Sequence, residues 1–267
     1  MVRRPYVAGQ FYPGDRASLE KALNGYLKRE SVKERALAII APHAGYIYSG
    51  PTAGEVYSRV VAPDRVILIG PNHTGAGKSV SVMASGAWET PLGVVRVDEE
   101  LSGLLLGLSP LLSPDTAAHL MEHSLEVQLP FLQTLNGNVS IVPITVMRAS
   151  YKECEEIGRA VARAITECKK EVLIVVSSDM NHYESDKRTR EKDRLAIEQV
   201  IKLDARGLLD VTASKNITMC GRIPAAIGII AAKELGAQKA ELIDYSTSGE
   251  KSGDYGHVVG YAGILIK

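Results

Sequence analysis

The chain has 267 residues, 45 % of them hydrophobic and 23 % charged, and its 31 basic and 31 acidic side chains cancel. This length and balance suit a globular protein that buries a substantial core without staples, and they argue against long disordered stretches. A neutral chain with no Lys/Arg block lacks the electrostatic footprint of a nucleic-acid binder, and its longest apolar run, residues 223–232, is far short of the roughly 20 residues of a bilayer span.

The N-terminus, MVRRPYVAGQFYPGD, has no apolar stretch behind its two arginines and does not read as a signal peptide. The three cysteines include no C-x-x-C pair, so neither a disulfide framework nor a zinc ribbon is encoded. No linker, charge block or fixed-period repeat divides the sequence. The expectation is a soluble, cytoplasmic protein with one domain over residues 1–267 and neither nucleic acid nor membrane as a partner.

In chain order, a helical pattern near 15–29 is followed by a strand at 35–41 (RALAIIA), a helix at 51–60 and a strand at 65–70 (RVILIG). Residues 80–84, WETPLG and residues 94–97 read as a hairpin. A helix at 123–135 precedes a strand at 139–146 (VSIVPITV), a helix at 151–169 and a strand at 171–177 (EVLIVVS). Helices at 185–202 and 221–235 and strands at 240–245 and 257–266 complete the chain. Pro51 after Gly50 suits the first turn of a helix, and Gly236 after Leu235 suits a helix stop. Short β-branched runs alternating with helices predict an α/β fold, a three-layer αβα sandwich around a largely parallel sheet made mixed by the hairpin.

Three predicted strands run into polar loops that contain histidine: Pro42-His43-Ala44-Gly45-Tyr46, Pro71-Asn72-His73-Thr74-Gly75, and Ser178-Asp179-Met180-Asn181-His182-Tyr183. Ligands of open α/β sheets bind at the carboxyl ends of the strands, so parallel strands would place these loops on one rim. A single histidine after a strand is usually a capping or hydrogen-bonding residue. Three at equivalent positions, in a chain with six histidines, point to a shared site. Gly45, Gly50, Gly75 and Gly77 flank the first two loops, where they permit close backbone approach or simply make turns. GPNHTGAGKS lacks the glycine spacing of a phosphate-binding P-loop.

Cys154, Ile157, Val161, Ile165 and Cys168 form one stripe of an amphipathic helix, which makes both cysteines core residues. Cys220 differs, because it stands where a helix begins. A thiolate is stabilised there and can ligate metal; the alternative is a small buried residue before Gly221. Glu122 and Glu126 flank His123, and His123 and Glu126 would share a helix face, where they either pair or ligate together; the alternative is that His123 or Ser124 caps the helix with Glu126 bonding back. His119 and His257 read as structural or surface residues.

Taken together, AGQFYPG near the N-terminus, IIAPHAGYIYSG at 39–50, GPNH at 70–73, EHSLEVQLPF at 122–131, VSSDMNHY at 176–183 and TMCGRIP at 218–224 resemble the Memo family, which is similar in fold to the class III extradiol dioxygenases. The resemblance runs nearly end to end. It implies a metal site at His43, His73 and Cys220, with cysteine in place of the dioxygenase glutamate. It also implies an acid/base at His182 beside Asp179.

Two imidazoles and a thiolate leave coordination positions open and favour a transition metal, with iron(II) expected first and copper or zinc next. Phe11, Tyr46 and Tyr48 are expected to wall the pocket, with His123 contributing to ligand binding. An animal member of the family has tryptophan where Phe11 stands, in a pocket linked to phosphotyrosine peptides. Two functions follow as expectations. One is a metal-binding protein with non-haem iron or copper redox chemistry of dioxygenase type. The other is a module that binds a small-molecule or phosphorylated-peptide ligand without turnover.

Overall fold

The computed structural model describes residues 1–28 and 32–267. Its strands are β1 (Val2–Arg3), β2 (Ala38–Ala41), β3 (Arg65–Pro71), β4 (Val80–Val82), β5 (Ala87–Thr90), β6 (Gly93–Val97), β7 (Ser113–Pro114), β8 (Ser140–Val146), β9 (Val172–Ser177), β10 (His182–Glu184), β11 (Ala240–Thr247) and β12 (Val258–Ile266). Its α-helices are α1 (Arg16–Tyr26), α2 (Tyr46–Ser58), α3 (Glu99–Leu108), α4 (Leu129–Leu135), α5 (Tyr151–Cys168), α6 (Asp186–Ile201), α7 (Ala205–Ser214), α8 (Arg222–Glu234) and α9 (Gly249–Ser252).

The strands form one mixed sheet in the order β1-β5-β6-β8-β3-β9-β2-β12-β10, with β11 also paired to β12 and β4 to β8. Its centre, β8-β3-β9-β2, is parallel. These strands are buried on both faces, which explains their continuous β-branched runs. Side chains alternate across them. Ile67, Ile69, Val142, Ile144, Ile174 and Val176 pack with α5, α6, α7 and α8. Val66, Leu68, Ile141, Leu173 and Val175 pack with α1, α2 and α4 on the other side. The architecture is therefore the expected αβα sandwich.

Chain order explains where a site can form. β9 lies between β3 and β2, so the sheet changes direction of winding there, and the carboxyl ends of these three neighbours share one rim. Ser177 pairs with Ala41 and Val176 with Ile69, so the three loops leave the sheet at one level.

Several elements differ from the expectation. Residues 80–84 do not join the hairpin: β5 pairs with β6, placing Trp88 and Thr90 within the hairpin strands, while β4 pairs antiparallel with β8. The helix expected at 51–60 begins at Tyr46, because Tyr46 N–H donates to the Phe11 carbonyl and Ser49 donates to the Ala44 and Gly45 carbonyls. Pro51 is inside α2. Gly50 and Gly54 of α2 face α1; a Cβ at Gly50 would lie 2.7 Å from the Tyr26 ring, and one at Gly54 would strike the Tyr26 main chain.

The helix expected at 123–135 is a short 3₁₀ turn at Glu126–Gln128 that leads into α4. Pro130 has no N–H to bond the Glu126 carbonyl, so it fits only the first turn. Gly236 ends α8 with φ of 98°, as expected. Helix α5 carries the Ser150/Glu153 capping box and buries Cys154 and Cys168. α3 and α7 were not anticipated. Arg29, the last residue of the first expected helix, lies outside the described residues.

Candidate metal centre

β2 delivers His43 and β3 delivers His73, while β9 delivers Ser177 and, just beyond its end, Asp179. Asp179 accepts hydrogen bonds from His43 N–H at 2.7 Å and Ala44 N–H at 3.3 Å, so its carboxylate shapes the loop after β2. In the loop after β3, Asn72 Oδ1 accepts from Thr74 N–H and Gly75 N–H, and Gly75 takes φ of 71° to close the turn. Glu122 then grips His73 twice, accepting from its main-chain N–H at 2.5 Å and from its Nδ1 at 2.8 Å.

The hydrogen bonds define the tautomers. The Ser177 hydroxyl has one hydrogen, and it goes to the Ser124 carbonyl at 2.6 Å, which can only accept. Ser177 Oγ must therefore accept from Gln128 Nε2 at 2.8 Å and from His43 Nδ1 at 2.9 Å. His43 is thus protonated at Nδ1. His73 is protonated there too, since its Nδ1 faces a carboxylate. In the neutral form of each ring the lone pair is therefore at Nε2.

These rings converge with His123. Ring centroids are 5.2 Å apart for His43–His73, 5.4 Å for His43–His123 and 4.7 Å for the stacked pair His73–His123. One ligand nitrogen from each lies within 4.8 Å of the others. Cys220 is not in that trio, but its Sγ lies 3.2 Å from His43 Nε2 and accepts Asp179 N–H at 3.3 Å. His182 Nδ1 donates to the Thr218 carbonyl at 2.7 Å, which leaves its Nε2 as an acceptor.

A cavity of about 640 Å³ is lined by Phe11, His43, His73, His123, Asp179, His182 and Cys220, joined by Tyr183, Thr218 and Val259. Neither Tyr46 nor Tyr48 lines it. Tyr46 is buried, with its hydroxyl donating to the Val127 carbonyl, and Tyr48 is partly exposed on the same helix turn. The expected aromatic wall therefore reduces to Phe11, whose ring lies 4.8 Å from that of His123. Tyr183, at φ of 61°, supplies an aromatic edge that sequence reasoning did not find.

Burial governs the charge states. Desolvation, followed by the neighbouring imidazoles, holds His43 well below the usual histidine range. Burial also lowers His123 against the pull of Glu122, and lowers His182 against its bond to Thr218. Burial pushes Asp179 up to about 6, despite its bonds from His43 and Ala44. For Glu122 burial acts upward, yet the hydrogen bonds and charge of His73, with Ser124 N–H, bring it down to about 2. Burial, then the Asp179 carboxylate, pushes the Cys220 thiol up, against the hydrogen bonds it has from Asp179 N–H, Ser178 and Gly221 N–H.

Glu126 also departs from expectation. It neither bonds back to a cap at His123 or Ser124 nor pairs with His123. Its carboxylate is fully buried and holds the N-terminal segment, accepting from Arg3 Nη1 at 2.7 Å, Tyr6 and Val7 N–H, and the Tyr12 hydroxyl at 2.7 Å. Arg3 stacks 4.1 Å over Trp88 and donates to the His119 and Glu122 carbonyls. This clamp seats Phe11 against the histidines. His119 is wholly buried and His257 is exposed, so neither enters the site.

A profile of Memo-like proteins matches residues 3–265. The chain belongs to the Memo family. It is 47 % identical over 269 residues to a MEMO1 family protein of Aquifex aeolicus, covering 99 % of both chains. It is 44 % identical over 277 residues to one from Pyrobaculum arsenaticum, with the same coverage. A crystal structure of an uncharacterized protein from Escherichia coli K12 shares the fold at 13 % identity, with a TM-score of 0.59 over 86 % of this chain and 100 % of that one. The Memo-family chain thus pairs this sandwich with a three-histidine group at its rim.

Proposed function

We propose that this protein binds a transition metal through Nε2 of His43, Nε2 of His73 and Sγ of Cys220. The observation that carries the reading is the pair of committed tautomers. Ser177 and Glu122 occupy both Nδ1 positions, as the hydrogen-bond acceptors behind metal-ligating histidines do, and turn both Nε2 atoms toward a metal. In the metal-free state the Cys220 thiol is placed to donate to His43 Nε2, so a metal would replace that proton and release it.

A thiolate favours iron(II), copper(I) or zinc over magnesium. Bound iron or copper would supply an open coordination position and one-electron chemistry for a chelating substrate. His182 would then accept a substrate proton at Nε2, Asp179 would hold the His43 loop in register, and Phe11 would wall the cavity. A pocket built only for phosphorylated ligands would want cationic imidazoles. The lowered values of His43, His123 and His182 favour neutral donors instead.

The test is elemental analysis of protein purified without oxygen or chelators, beside His73→Ala, Cys220→Ser and His123→Ala. Near-stoichiometric iron, copper or zinc that is lost in the first two variants and kept in the third supports the site. Metal kept in Cys220→Ser but lost in His123→Ala would transfer the third ligand to His123. No metal in any form after reconstitution would reject the proposal.

A further inference from the structure

Asn181, fully buried between β9 and β10, uses every polar atom it has. Its Oδ1 accepts from Thr218 N–H at 3.0 Å and from Thr218 Oγ1 at 3.2 Å, and its Nδ2 donates to Glu184 Oε2 at 2.8 Å. Its main-chain N–H donates to Asp193 Oδ1 at 2.8 Å, and its carbonyl accepts from Gly260 N–H at 3.0 Å. The amide cannot be flipped, because a main-chain N–H only donates and a carboxylate only accepts. Asp193 is in turn held by the Tyr245 hydroxyl at 2.7 Å.

Thr218 carries this rigidity to the cavity. Its hydroxyl hydrogen goes to Asn181, so its Oγ1 accepts from His182 N–H at 2.8 Å. Its carbonyl accepts from His182 Nδ1 at 2.7 Å. His182 is therefore gripped at two atoms by a residue that Asn181 grips at two. A base on the wrong tautomer presents a hydrogen where a lone pair is needed.

We infer that Asn181 is a positioning residue that, acting through Thr218, fixes His182 as the Nδ1–H tautomer and so keeps Nε2 available as a proton acceptor in the cavity. The inference rests on His182 being the proton-accepting group of the proposed site. The same strut ties down the segment that reaches Cys220 two residues later, so one buried amide holds two loops of the rim in register.

The experiment records two-bond ¹H–¹⁵N imidazole spectra of metal-free, ¹⁵N-labelled protein at about pH 8, where histidines are largely neutral. Wild type is expected to show His182 protonated at Nδ1. Asn181→Ala and Thr218→Val should each move the His182 tautomer ratio toward Nε2–H by about fivefold, the effect of losing one net hydrogen bond. Thr218→Ser, which keeps the hydroxyl, should restore it. His43 and His73 should stay protonated at Nδ1 in every variant, which reports an intact rim. If Asn181→Ala does not fold, Thr218→Val beside Thr218→Ser decides. An Nε2–H His182 in wild type, or an unchanged ratio in both loss variants, overturns the inference. Because the spectra need no metal, a failed metal reading and a failed positioning reading remain distinguishable.

Discussion

At the scale of single residues, the chain shows how burial alone sorts its histidines. His119 is 0 % exposed, neither ring nitrogen has a well-aligned hydrogen-bond partner among the described residues, and burial lowers it to about 4. A base whose folded value is depressed costs nothing above about 6.5. It loses stability as pH falls from there toward 4, because the unfolded chain takes the proton first. Replacing His119 with Phe, which keeps a ring against Trp88, should recover about 2–3 kcal/mol of the stability lost between pH 7.5 and 4.5. Urea unfolding at both pH values checks this, and an undiminished gap would refute it. Glu122 works at lower pH. Its stabilisation is present above about 4.5 and is lost as pH falls through about 2, so Glu122→Gln should flatten the stability profile in that window. His43, His73 and His182 were legible because each belongs to a polar loop that follows a predicted strand, whereas His123 was picked out only by its acidic neighbours Glu122 and Glu126. The role of Asn181 was not, because its partners Thr218 and Asp193 come from separate segments and no local spacing marks them.

Among the elements, the two that place Phe11 depend on contacts that sequence patterns hide. Arg3 belongs to a two-residue strand and meets Glu126 more than a hundred positions away. The pair is 1 % and 0 % exposed, so removing one charge strands the other. Glu126→Gln should destabilise the protein by about 3–5 kcal/mol. A loss below about 1 kcal/mol in denaturant titration would show that the clamp is slack. Helix α2 makes the complementary case. Gly54→Ala puts a methyl into the Tyr26 main chain and should cost about 1–3 kcal/mol through separation of α1 and α2, read as a lower unfolding midpoint. The central strands and α5 were readable from β-branched runs and from a 3.6-residue stripe. The two-residue strands β1 and β7 were not, since so few residues carry no periodicity, and β4 was readable as a strand but not as the partner of β8. The early start of α2 was also hidden, because it depends on the Phe11 carbonyl meeting Tyr46 N–H.

Across the whole molecule, a parallel four-strand centre with β9 between β3 and β2 makes one rim from loops that lie far apart in sequence. That rim collects imidazole nitrogens and a cysteine sulfur, and the N-terminal clamp closes one side of it. Ligand binding to the folded state alone must then raise its stability. Zinc at 100 times its dissociation constant should stabilise wild type by about 2.7 kcal/mol. His73→Ala should gain far less at the same concentration, and an equal gain in both would place the metal elsewhere. The most direct measurement is X-ray absorption of the zinc-loaded protein. Two imidazole nitrogens and one cysteine sulfur predict a sulfur shell near 2.3 Å beside nitrogen at about 2.0–2.1 Å, with the sulfur shell absent in Cys220→Ser. A wild-type spectrum with imidazole nitrogens and no sulfur shell would contradict the His43, His73 and Cys220 site and leave the three histidines as the ligands.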